Sequence, residues 1–122
     1  LLPATACGLL SVAVLNINNM RDLESDIQAG KHTLAVRLGP AGSRTYHTCV
    51  IFLSIACLII FTLLYMHRWT AWLFLLATPM LLLHIKRVNA DHSGEAMRPL
   101  LEHMVKAALL TNVLFSLGLV LE

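Results

Sequence analysis

Between Arg44 and Arg68 the chain runs for 23 residues without an Asp, Glu, Lys or Arg. A helix needs about 20 apolar residues to cross the hydrocarbon of a bilayer, and this run supplies them. Three more apolar stretches accompany it: Leu1 to about Ile17, Trp69 to Ile85, and Ala107 to Leu121. A chain of 122 residues cannot hide such runs inside itself, because small domains bury too little of their surface. With 57% hydrophobic and 13% charged residues, intrinsic disorder is excluded as well. In lipid each span must satisfy its own backbone groups, which an open strand does not do. The expected fold is therefore all-α, a polytopic membrane bundle. Its four transmembrane helices are expected at about residues 1–20, 43–66, 69–88 and 100–121, with a motif loop at 18–39. The third and fourth runs are short, and Lys86 and Lys106 at their edges can snorkel to the interface.

Charge sets the orientation. The segment after the first run holds Arg21, Lys31, Arg37 and Arg44, and the one after the third holds Lys86, Arg87, Arg98 and Lys106. The short link between the second and third runs holds Arg68 alone. The positive-inside rule places both long loops in the cytoplasm and Trp69 and Trp72 at the outer interface. A net charge of +2 without a basic block interleaved with aromatics gives no nucleic-acid partner. Cys7, Cys49 and Cys57 lack CxxC spacing and read as small buried hydrophobes. Pro79 reads as a kink, Gly39-Pro40 as a turn, and Pro99 as the first turn of a helix after Gly94.

The stretch Asn16 to Gly39, NINNMRDLESDIQAGKHTLAVRLG, carries the chemistry. It continues the first helix, so Asn18, Asp22 and Asp26 fall at i, i+4 and i+8 on one face. Asn19 and Arg21 flank that stripe, and Gly30 reads as a C-terminal cap. Two carboxylates one turn apart are hard oxygen donors of the kind that hold Mg²⁺ against a substrate phosphate. Arg21, Lys31 and Arg37 add positive charge. The bland alternative is a solvated acidic–basic loop, and spacing alone leaves both open. Ionisable groups at membrane depth favour the functional reading.

The string NNMRDLESDIQAGKHTLAVRLG closely resembles the second aspartate-rich motif of the UbiA-type intramembrane prenyltransferases. It looks most like the branch that prenylates 1,4-dihydroxy-2-naphthoate in menaquinone synthesis. The tail AMRPLLEHMVKAALLTNVLFSLG, Ala96 to Gly118, resembles the end of the same enzymes. The resemblance implies nine helices around a lipid-facing cavity. Residues 1–122 would be the C-terminal part of one transmembrane prenyltransferase domain, its last four helices. The family's first motif, of NxxxDxxxD type, is absent. A chain that starts at Leu1 rather than Met is then expected to need N-terminal helices it does not contain, and to be inactive alone. By the same resemblance Asp22 and Asp26 would ligate Mg²⁺ on a polyprenyl diphosphate. Arg21 and Lys31 would contact its oxygens, and Asn18 and Asn19 would support that diphosphate site or line the aromatic pocket. The acceptor would be 1,4-dihydroxy-2-naphthoate, with loss of CO₂, in a bacterial inner membrane. A related aromatic acceptor and a non-catalytic four-helix module binding lipid headgroups are the alternatives.

Other candidates weigh less. His47, His84 and His103 are expected near cytoplasmic helix ends as interfacial residues, which ranks above a bis-histidine haem. Asp91 and Glu95, around His92-Ser93-Gly94, read as a solvated loop. Thr111 and Asn112 are expected to bond to neighbouring helices. Trp72, Phe74 and Phe52 are candidates for an isoprenoid tunnel or a lipid-facing surface.

Overall fold

The computed structural model describes residues 1–91 and 93–122. The elements are α1 (Leu2–Arg21), α2 (Leu23–Gln28), α3 (Leu34–Tyr65), a 3-10 helix over Trp69–Ala77, α4 (Thr78–Ala90) and α5 (Met97–Val120). Among the described residues there is no strand. Among the described residues, four helical stretches are long and apolar enough to cross a membrane: Leu2–Arg21, Leu34–Tyr65, Trp69–Ala90 and Met97–Val120. The protein is a multi-pass, all-α membrane bundle.

α1 packs on α3 and α5, and α4 packs on the same two helices, so the four spans close into a ring. The core is apolar and lies along the seams: Leu10, Ala13 and Ile17 of α1 meet Ile51 of α3, Leu81 and Val88 of α4, and Met104 of α5. A second cluster gathers Phe74, Leu58 and Phe115, with Phe74 and Phe115 edge to face at 5.9 Å. Many large apolar side chains point outward, among them Leu53, Leu63, Leu76 and Leu109. Burying such side chains in hydrocarbon costs nothing, whereas water would penalise each of them.

Several expectations are corrected. The second span starts at Leu34, capped by the Thr33 hydroxyl, which accepts from Val36 N. Gly39-Pro40 is a break inside that helix rather than a turn before it: Gly39 has φ 70° and ψ 176°, a backbone open to glycine. The stretch 18–39 is accordingly mostly helical and not a loop. The third span opens as a 3-10 helix, and Pro79 sits in the first turn of α4, where its missing N–H breaks no bond. Cys7 and Cys49 are on the outer surface, and Cys57 alone of the three is buried. Thr111 and Asn112 donate to Ala107 O (2.7 Å) and Ala108 O (3.0 Å) of their own helix, the back-bond such side chains make without a partner opposite. Phe74 is core, whereas Phe52 is exposed.

Among the described glycines, the one packed hardest against a neighbouring element joins α5 to the 3-10 helix. A Cβ at Gly118 would lie 2.8 Å from the Thr70 carbonyl oxygen and 3.3 Å from Ala71 Cα. Gly118→Ala is expected to lower stability by about 2 kcal/mol through overpacking, read as a lower melting temperature in detergent. Gly8→Ala, with nothing within 4 Å of its Cβ position, should leave that temperature unchanged or raise it.

Candidate functional site

The site begins where α1 ends. Asp22 leaves helical geometry (φ −94°, ψ 8°), yet the i→i−4 pattern runs through it. Asp22 N donates to Asn18 O at 3.2 Å, and Asp26 N donates to Asp22 O at 2.9 Å. Asp22 and Asp26 thus keep a spacing of one helical turn across the break. α2 then stops in a Schellman arrangement. Lys31 N donates to Asp26 O (2.9 Å) and Gly30 N to Ile27 O (3.1 Å), with Gly30 at φ 68°. That turn sends the chain back, and Lys31 Nζ reaches Asp26 Oδ1 at 3.1 Å.

Each carboxylate has its own cation. Arg21 grips Asp22 with both arms, Nε to Oδ1 and Nη2 to Oδ2, each 2.8 Å. That fork holds the Asp22 carboxyl below its usual range; partial burial opposes the shift, and the charges of Lys31 and Arg98 reinforce it. Asp26 is buried and Lys31 largely exposed. Asn18 and Asn19 are half-buried beside the pair. Arg37 is exposed on the first turn of α3.

Two carboxylates already balanced by cations fit, by donor chemistry, a Mg²⁺ held by one or two carboxylates and completed by substrate phosphates. Among the described residues no third His, Cys, Asp or Glu joins them into a protein-only metal cage.

Residues without a signature surround the motif. Asn16, 3% exposed, donates from Nδ2 to Ser43 O at 3.0 Å. The Ser43 hydroxyl turns back to Gly39 O at 2.8 Å, so α1 is tied to α3 just past its break. Arg44, next in the chain, is buried. It borders a cavity of about 250 Å³ that Arg21 also lines. One further α-helical turn on, His47 and His84 are fully buried rather than interfacial, with Nε2 atoms 2.9 Å apart. At that separation one Nε2 can donate to the other, the tautomers setting which does so. His103 stacks on His84 with ring centroids 5.5 Å apart. Ser43, His47, Val50 and Ser54 share the inner face of α3 at helical spacing, a phase legible in the sequence once the helix is known to begin early. Asp91 and Glu95 are exposed, and Asp91 Oδ1 accepts from Ser93 N and Ser93 Oγ at 2.9 Å, a loop arrangement. His92 lies outside the described residues.

The model of the UbiA prenyltransferase family matches residues 1–110. The chain is 54% identical over its whole length to an Escherichia coli protein named 1,4-dihydroxy-2-naphthoate octaprenyltransferase, covering 40% of that protein. It is 46% identical to the Haemophilus influenzae protein of the same name over 99% of this chain and 39% of the other. It is 30% identical to the mouse UbiA prenyltransferase domain-containing protein 1 over 99% of this chain and 34% of the other. The chain thus spans about two-fifths of the length of its bacterial relatives. No solved structure matches.

Gly30 is the hinge of the acidic turn. Gly30→Ala forces a Cβ into the left-handed region at a cost of about 1–2 kcal/mol. Amide hydrogen exchange at position 30 and at Lys31 should quicken, while exchange in α1 upstream of Asn16 stays unchanged.

Proposed function

This chain belongs to the UbiA prenyltransferase family, and from that premise we propose that it forms part of the active site of a polyprenyl transferase. The reaction moves a polyprenyl group from its diphosphate to 1,4-dihydroxy-2-naphthoate in a bacterial inner membrane, with the acidic turn on the cytoplasmic side. The observation that carries this reading is the whole-length identity to the naphthoate octaprenyltransferase of Escherichia coli. The paired carboxylates of the acidic turn lie within it. A first acidic motif, from the length of the relatives that this chain does not match, completes the site.

Asp22 and Asp26 hold Mg²⁺ in this reading. When bound, the ion neutralises diphosphate charge and improves it as a leaving group. Arg21 and Lys31 exchange their carboxylate partners for diphosphate oxygens, Arg21 as a fork and Lys31 as a point charge. Asn18 and Asn19 flank the bound group with amide donors. The allylic C–O bond breaks and its electron pair leaves on the diphosphate. The ring carbon that bears the carboxylate forms the new C–C bond, and its bond to that group breaks, CO₂ leaving and the electron pair restoring the aromatic ring. The apolar bundle keeps water from the cationic carbon.

The test is a chimera in which residues 1–122 replace the matching segment of the Escherichia coli relative. Membranes carrying it should prenylate dihydroxynaphthoate from octaprenyl diphosphate. Asp22→Asn and Asp26→Asn should each cut that rate at least about 100-fold without changing the amount inserted. Retention of wild-type rates by either variant would refute the assignment.

A further inference from the structure

Arg44 is 8% exposed, yet among the described residues no carboxylate lies within ion-pair distance of it. Its Nη1 donates to the Pro40 carbonyl at 3.1 Å, and its Nε is buried without a partner. A guanidinium keeps its proton in proteins, so this is a permanent positive charge withdrawn from water. Such a charge is costly unless an anion sits beside it. The space beside it is the cavity of about 250 Å³ at the motif end of the bundle. Its lining is mostly apolar, with Met20, Leu23, Ile27 and Met97, while Ser93 and the exposed Glu24 are its other polar side chains besides the two arginines. Arg21 lines the cavity too, but Asp22 already engages it through two hydrogen bonds.

We propose that this cavity is a binding subsite for an aromatic carboxylate, whose charge pairs with Arg44 and whose ring lies between the methionine and aliphatic walls. The inference rests on the transferase reading for its place in the reaction, where it would seat the acceptor. The chemistry of the walls selects the ligand class. A diphosphate carries several charges and needs several donors, whereas here one buried guanidinium is unmatched and Glu24 repels a second negative group. A single carboxylate on an apolar body matches one cation among apolar walls. Thioethers pack well against an aromatic ring. The volume of about 250 Å³ suits a two-ring acid. Arg21 joins this cavity to the acidic turn, so a ring seated here adjoins the groups proposed to hold the diphosphate.

Equilibrium binding to the full chain in neutral-lipid nanodiscs tests the subsite, read from probe fluorescence. The probes are 1-hydroxy-2-naphthoate and 1-naphthol, which lacks only the carboxylate. The acid should bind at least about tenfold more tightly. Arg44→Gln should remove that advantage and leave 1-naphthol unchanged, Arg44→Lys should keep part of it, and Met97→Trp should weaken both probes by filling the cavity. Equal affinity for the two probes overturns the proposal. So does an Arg44→Gln variant that lowers the melting temperature while keeping the probe difference, since Arg44 is then a structural cation. If inorganic diphosphate displaces the acid more effectively than unlabelled naphthoate does, and Arg44→Gln abolishes that displacement, the subsite serves phosphate groups and the proposal also fails. In the chimera, Arg44→Gln should raise KM for dihydroxynaphthoate about tenfold and leave KM for the prenyl diphosphate unchanged. That split decides the matter if the chain alone loses its helices in nanodiscs. An inactive chimera with Arg44-dependent naphthoate binding refutes the transferase reading and leaves the subsite standing. An active chimera without Arg44 dependence does the reverse.

Discussion

The hydrogen bond from Asn16 Nδ2 to the Ser43 carbonyl, 3.0 Å long and inside the bundle, supports everything at the motif end of the molecule. An amide at this depth has no water to fall back on, and an unmet donor there costs more than a met one gains. The bond therefore clamps the last turns of α1 to α3 just beyond its break. Ser43 seals the same corner from the other side, its hydroxyl returning to Gly39 O and to Ala35 O. The intervening chain, with both carboxylates and both of their cations, is held at its two ends by one buried corner.

Within that closed segment the geometry follows from local rules. Backbone bonds from Asp22 to Asn18 and from Asp26 to Asp22 carry the helical phase through the break. The left-handed Gly30 folds Lys31 back over Asp26. Charges are matched pair by pair, Arg21 with Asp22 and Lys31 with Asp26. Arg44 breaks the pattern, a buried cation matched to no carboxylate of the described chain, and the cavity lies beside it. Balanced pairs are stable at rest and can be exchanged for a ligand's charges, whereas an unmatched one already favours an anion.

The rest of the bundle is built to stay rigid around that end. Ser54 reaches across to Ala6 O at 3.0 Å, His47 meets His84, and Gly118 lets α5 touch the Thr70 backbone. Each is a polar or steric lock between two spans in a surrounding where apolar contact alone does not distinguish a neighbouring helix from lipid.

Apolar run length, fixed by bilayer thickness, was enough to read four membrane helices from the sequence, and the spacing of Asn18, Asp22 and Asp26 was enough to read a stripe, because both depend on contacts within a few residues. The chain's resemblance to the UbiA family was legible in the same motif. Where helices start was less so: the charge-free run marks the part of α3 in hydrocarbon, not the polar turns from Leu34 to Arg44 that precede it. Burial was legible only in part. Cys7 and Cys49 are as apolar as Cys57 but lie on the other side of their helices, and His47 and His84 are polar yet face inward, because rotation about the helix axis is set by the neighbouring spans. Asn16 only opens the acidic stretch, and Ser43 and Arg44 lie beyond it. Their importance comes from α1 meeting α3, a pairing of residues 27 positions apart that only the folded chain brings together.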